Sequence, residues 1–105
     1  MSTAFNIGTV IFRGPAGIGK TSLAGWLPGL TPLRGGEHVY LVGEGAGPDK
    51  LVVTLSPLRR ADRVKVRASV TGKQDVLVVS AIGRCENLSS LANVLRASFQ
   101  LPEPA

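Results

Sequence analysis

The chain has 105 residues, a length that fits one small domain, and 44% of them are apolar, which excludes intrinsic disorder. No apolar stretch approaches the roughly 20 residues that span a bilayer as a helix, and Met1-Ser2-Thr3-Ala4-Phe5 lacks the basic start and apolar run of a signal peptide, so a cytosolic product without membrane contact is expected. Lys and Arg number 12 against 7 Asp and Glu, a net charge of +5 that favours a polyanionic partner, nucleic acid first.

Glycine and proline divide the chain into short pieces. Residues 5–13, rich in Ile, Val, Thr and Phe, predict a strand. Gly14-Pro15-Ala16-Gly17-Ile18-Gly19 is a turn-rich break, and residues 20–26 read as either a short strand or a two-turn helix. Pro28-Gly29, Pro32 and Gly35-Gly36 end that piece, and residues 38–42 form the next strand candidate, followed by a glycine loop at 43–48. Residues 51–56 predict a further strand. In residues 63–70, Arg63, Lys65, Arg67 and Ser69 alternate strictly with Val64, Val66, Ala68 and Val70, the period of a half-buried strand. Thr71-Gly72-Lys73-Gln74 is a turn of hairpin length leading into a strand at 75–82. The period then changes. Leu88, Leu91, Ala92, Leu95 and Phe99 form one helical stripe, with Asn87 as its N-cap and Pro102 as its stop. Together these elements predict a single α+β domain over 1–105: an N-terminal β-hairpin within 1–27, an antiparallel sheet within 37–82, a C-terminal amphipathic helix at 86–100 and a tail at 101–105.

Cys85 is the single cysteine and His38 the single histidine, so neither an intrachain disulfide nor a zinc cluster can be built, and nothing near His38 marks a nucleophile. No catalytic residue, cofactor or metal is expected. One string does argue for a ligand. Gly14-Pro15-Ala16-Gly17-Ile18-Gly19-Lys20-Thr21 matches the phosphate-loop pattern G-x-x-x-x-G-K-[ST] at every position. In that chemistry glycines let backbone N–H groups wrap phosphates, the lysine reaches the terminal phosphates and the hydroxyl binds magnesium. Gly14, Gly19, Lys20 and Thr21 are then the residues of an ATP site. Three features weigh against it. Gly25, Pro28 and Gly29 leave the following helix barely two turns. The gaps from Ser56 to Arg63 and from Val70 to Asp75 are too short for parallel crossovers, which take about a dozen residues, and force antiparallel hairpins. The acidic partner for magnesium has to be Glu44, inside a glycine loop. The preferred expectation is therefore a hairpin, residues 9–13 paired with residues 20–25 through a glycine-rich turn.

Arg59, Arg60, Arg63, Lys65 and Arg67 place five basic residues within nine positions, three of them on one strand face. Thr54 and Ser56 join that face if the register of the neighbouring strand permits. Basic groups interleaved with small hydroxyls suit phosphates and base edges, and like charges at i, i+2 and i+4 favour an anion among them. A solvated sheet face is the alternative. The opposite face is apolar, and a helix about 10 Å wide covers only about two strands, so a second subunit is expected over the remainder.

The order of elements resembles that of the coat proteins of single-stranded RNA bacteriophages, the leviviruses. Val53-Thr54-Leu55-Ser56 is similar to the family's central strand, Arg63-Val64-Lys65-Val66 to its next strand, and Asp75-Val76-Leu77-Val78-Val79-Ser80 to its last. Glu86 with Leu88, Leu91 and Leu95 resembles the opening of its helical region, and Gly17-Ile18-Gly19-Lys20-Thr21-Ser22-Leu23 its first hairpin. The resemblance implies a dimer with one continuous sheet, helices clasping the partner, and an icosahedral shell assembled in the host cytoplasm around RNA, with Thr54, Ser56, Arg63 and Lys65 at the hairpin-binding positions. The expected function is that of a non-enzymatic capsid subunit of a virion, binding single-stranded RNA through Thr54, Ser56, Arg59, Arg60, Arg63, Lys65 and Arg67. A small ATP-binding protein and a small nucleic-acid-binding regulator are the alternatives.

Overall fold

The computed structural model describes residues 5–57, 63–71, 75–82, 88–99 and 101, with the backbone alone at 63 and 75–82. In chain order the elements are β1 (Ile7–Arg13), α1 (Lys20–Gly25), β2 (Leu30–Pro32), β3 (Val39–Val42), β4 (Asp49–Pro57), β5 (Arg63–Val70), β6 (Asp75–Ile82) and α2 (Leu88–Phe99). The α+β class is as expected. The strands form one six-stranded sheet in the order β2-β3-β1-β4-β5-β6.

The C-terminal half follows its local spacing. Short connections leave β4, β5 and β6 no option but antiparallel neighbours, and Leu55 opposes Val66, which in turn opposes Val79. α2 buries all five residues of its stripe, Leu88, Leu91, Ala92, Leu95 and Phe99. Asn87 and the turn at 72–74 lie outside the described residues.

The N-terminal half departs from expectation. The expected hairpin of residues 9–13 with 20–25 does not form: residues 20–25 are helical, and β1 pairs with β3 antiparallel and with β4 in parallel. The sheet is therefore mixed rather than antiparallel. The short gaps after Ser56 constrain β4, β5 and β6 only. The connection from β1 to β4 runs through residues 14–48, ample for a parallel crossover. A strand at 20–25 has no useful apolar face, since it alternates Lys20, Ser22, Ala24 with Thr21, Leu23, Gly25. A helix instead gathers Leu23, Ala24 and the following Leu27 on one side, and all three are buried. The sheet also begins before residue 37, because Leu30–Pro32 pairs with β3 at one edge; three residues ending in proline carry too little strand signal to be seen.

β1 and β4 are pinned at their starts. The Asn6 N–H donates to the Asp49 carboxylate and the Asp49 N–H to the Asn6 carbonyl, each at 2.9 Å. Beside this clamp Gly8 and Gly47 pass so closely that a Cβ on either would overlap backbone of the other segment, and the register shifts between Ile7 and Thr9.

One core results. Val10 and Phe12 of β1, Leu51, Val53 and Leu55 of β4, and Val66, Ala68 and Val70 of β5 meet both helices. Leu23, Leu51, Leu55 and Leu95 are essentially fully buried, and each such side chain contributes about 1.5–3 kcal/mol. The core face is thus covered by two helices where one was expected. On the other face Ile11, Arg13, Val52, Thr54, Ser56, Lys65, Arg67 and Ser69 are half-buried or exposed.

Candidate functional site

The glycine-rich string runs from the end of β1 into α1. Three of its glycines have positive φ: Gly14 at 152°, Gly17 at 80° and Gly19 at 111°. Side chains with a Cβ rarely adopt these angles, so the path of the loop requires glycine there. Inside it, the Ile18 N–H donates to the Pro15 carbonyl at 3.3 Å, and the Lys20 ammonium folds back to donate to the carbonyls of Gly14 and Pro15, the latter at 3.0 Å. Gly19 then supplies the carbonyl that accepts the Leu23 N–H at 2.8 Å and opens the helix. Both of these acceptors are neutral carbonyls, so the bonds bring the Lys20 charge to the loop. Thr21 is exposed in the first turn of α1.

The position of the loop in the sheet follows from the parallel pair. It leaves the C-terminal end of β1, beside the C-terminal end of β4, where Gly14 lies against the Leu55 carbonyl. Ligands of sheets with parallel strands bind at such ends. Glu44 is at the other end: Leu41 opposes Thr9, and Gly45 packs beside Gly8. Gly8 and Gly14 are six residue steps apart along the strand, about 20 Å. Glu44 and the loop therefore share no site. Among the described residues no three His, Cys, Asp or Glu side chains come together as a metal site.

No family model, curated protein or solved structure matches the chain. Function is thus carried by the geometry alone.

The register places the expected basic residues. Thr54 opposes Arg67 and Ser56 opposes Lys65, so these four share the open face. Arg63 opposes Ile82 in the β5–β6 ladder, and Arg59 and Arg60 lie outside the described residues. Arg13 joins the row, because the parallel pair sets it beside Thr54. Nothing local in the sequence signals this; it depends on β1 choosing a partner more than 35 residues away. At the end of the sheet remote from the loop, Phe5, Asn6, Ile7, Val42 and Phe99 line an open depression of about 530 Å³, with no charged residue among the described residues of its wall. The functional chemistry of the described residues therefore concentrates at the loop end and on the open face.

Proposed function

We propose that residues 14–21 bind the phosphate chain of a nucleoside triphosphate, with ATP as the test ligand. One observation carries this reading: the string is held between a strand and a helix at the C-terminal end of a parallel pair, with the Lys20 ammonium folded over it. The strongest sequence argument against a phosphate loop is antiparallel pairing throughout, and the β1–β4 pair removes that premise. α1 has six residues and a correspondingly weak macrodipole, so the anion is held by loop N–H groups and Lys20. The residues suit phosphate; among the described residues no acidic side chain is placed beside Thr21 to share a magnesium ion, and Glu44 is remote. The proposal is binding, not turnover.

Calorimetric titration with ATP, with and without magnesium, tests it. Lys20→Ala removes a charge-assisted contact worth about 1.5–3 kcal/mol, so affinity falls roughly 10- to 150-fold. Equal affinity of the variant and the parent protein refutes the reading.

The register favours a second reading, a coat subunit that dimerises, forms an icosahedral shell in the host cytoplasm and packages single-stranded RNA. Its support is the sheet face that brings Thr54, Ser56, Lys65 and Arg67 together. The first hairpin of the levivirus resemblance has no counterpart here. Size-exclusion chromatography with negative-stain microscopy tests this reading. Round particles rich in 260 nm absorbance support it, and a small species free of nucleic acid refutes it.

A further inference from the structure

Among the described residues, positive φ occurs at seven glycines and at one residue with a side chain, His38, at 56°. Elsewhere the chain uses glycine where the backbone turns left-handed, so a histidine held there carries backbone strain. Strain of this kind gathers at ligand sites. The His38 carbonyl accepts the Phe12 N–H at 3.0 Å, which continues the β1–β3 register and sets His38 opposite Phe12. β3 runs against β1, so His38 stands at the loop end of the sheet. Phe12 belongs to the core that the two helices cover, and the glycine loop turns to that same side, where Gly19 lies beside the Leu88 methyls. Gly14 is two residue steps beyond Phe12. One hydrogen-bonded pair across and two steps along place the His38 and Gly14 Cα atoms about 9 Å apart. An imidazole and a phosphate group together span such a gap.

The His38 side chain is 25% exposed, and its Nε2 lies 3.8 Å from the carboxylate of Glu37, which is 91% exposed. The other charged or titratable groups on the elements next to it are Arg13 at the end of β1, Arg34 in the turn before β3, Tyr40 on β3 and Lys20 in the loop; β2 supplies none. Three cations and one solvent-facing carboxylate thus form its neighbourhood, which favours an anion. We propose that His38 is a further binding residue of the phosphate loop, its imidazolium donating to a terminal phosphate oxygen of the nucleotide. The proposal rests on the phosphate-loop reading and adds to Lys20 a second cation whose charge follows pH. Proton uptake gives the imidazole both a positive charge and a second N–H donor. Glu37 is the partner of the imidazolium in the empty site, and phosphate takes its place when the nucleotide binds.

The test is calorimetric titration with magnesium-free ATP at about pH 6 and about pH 8, across which a histidine changes charge. The parent protein is compared with His38→Gln, which is polar but uncharged, and with His38→Gly, which suits the left-handed backbone. ATP takes up a proton on its own terminal phosphate over this range, and the variants measure that contribution. The ratio of affinity at the lower pH to affinity at the higher pH is expected to be about 10-fold greater in the parent than in either variant, the gain of one charge-assisted contact. An equal ratio in the parent and in a folded variant overturns the role of His38. If ATP binding is still weakened by Lys20→Ala in that case, the loop reading stands. Absence of Lys20-dependent binding at both pH values overturns both.

Discussion

Replacing Gly14 by alanine tests the docking of the loop on the parallel pair. At φ 152°, any residue with a Cβ is strained there, by about 1–3 kcal/mol. The added Cβ also sits 2.7 Å from the Leu55 carbonyl oxygen and 3.1 Å from Ile18 Cγ2. Leu55 cannot give way easily, because it lies inside the β4–β5 ladder opposite Val66. Overpacking of this kind adds about 1–3 kcal/mol. The total is about 2–6 kcal/mol, a fall in Tm of about 10–40 °C for a domain this size. Gly17→Ala is the matched control: φ is 80° but nothing lies within 4 Å of its Cβ. Its cost is backbone strain alone, about 1–2 kcal/mol. Thermal and urea unfolding followed by circular dichroism measure both. If Gly14→Ala is no worse than Gly17→Ala, the loop does not rest on β4, and the parallel pairing that supports the nucleotide reading is wrong.

Other expectations are more direct. Leu95→Ala empties a buried position on α2 and costs about 2–5 kcal/mol, whereas Val94→Ala, at a position 38% exposed, changes stability by under about 0.5 kcal/mol; similar losses in urea melts of the two refute the orientation of the helix. Lys20→Ala leaves Tm within about 2 °C, because its partners are exposed carbonyls that water can satisfy; a larger drop means that the lysine staples the loop rather than awaiting a ligand. Gly8→Ala meets the backbone of Gly47 and separates the start of the β1–β4 pair. Its unfolding free energy should fall by several kcal/mol, and normal stability contradicts the close approach.

What the sequence revealed was whatever its neighbours decide. The alternation of residues 63–70 gave β5 its bounds and faces, and the stripe from Leu88 to Phe99 gave α2 and its buried side. Placing Thr54 and Ser56 beside Arg67 and Lys65 needed only a short connection from β4 to β5. Illegible was the choice of partner for β1. Val10 and Phe12 suit any buried strand, and no local pattern distinguishes a hairpin at Lys20 from a crossover ending at Asp49. That single non-local choice decided whether the glycine string was a turn or a loop at a strand end, and it also hid Arg13 from the basic face.

The two borders of the sheet differ. β2 ends one side with three residues, the last of them Pro32, which has no N–H to offer a further strand. β6 ends the other with eight residues, and in its sequence, Asp75-Val76-Leu77-Val78-Val79-Ser80-Ala81-Ile82, there is no lysine or proline to discourage pairing. Among the described residues, growth of the sheet is thus favoured at β6 over β2. If two copies met through β6 about a twofold axis, each would consume the other's receptive border, and both remaining borders would end in Pro32. Such edge-to-edge addition terminates at two chains.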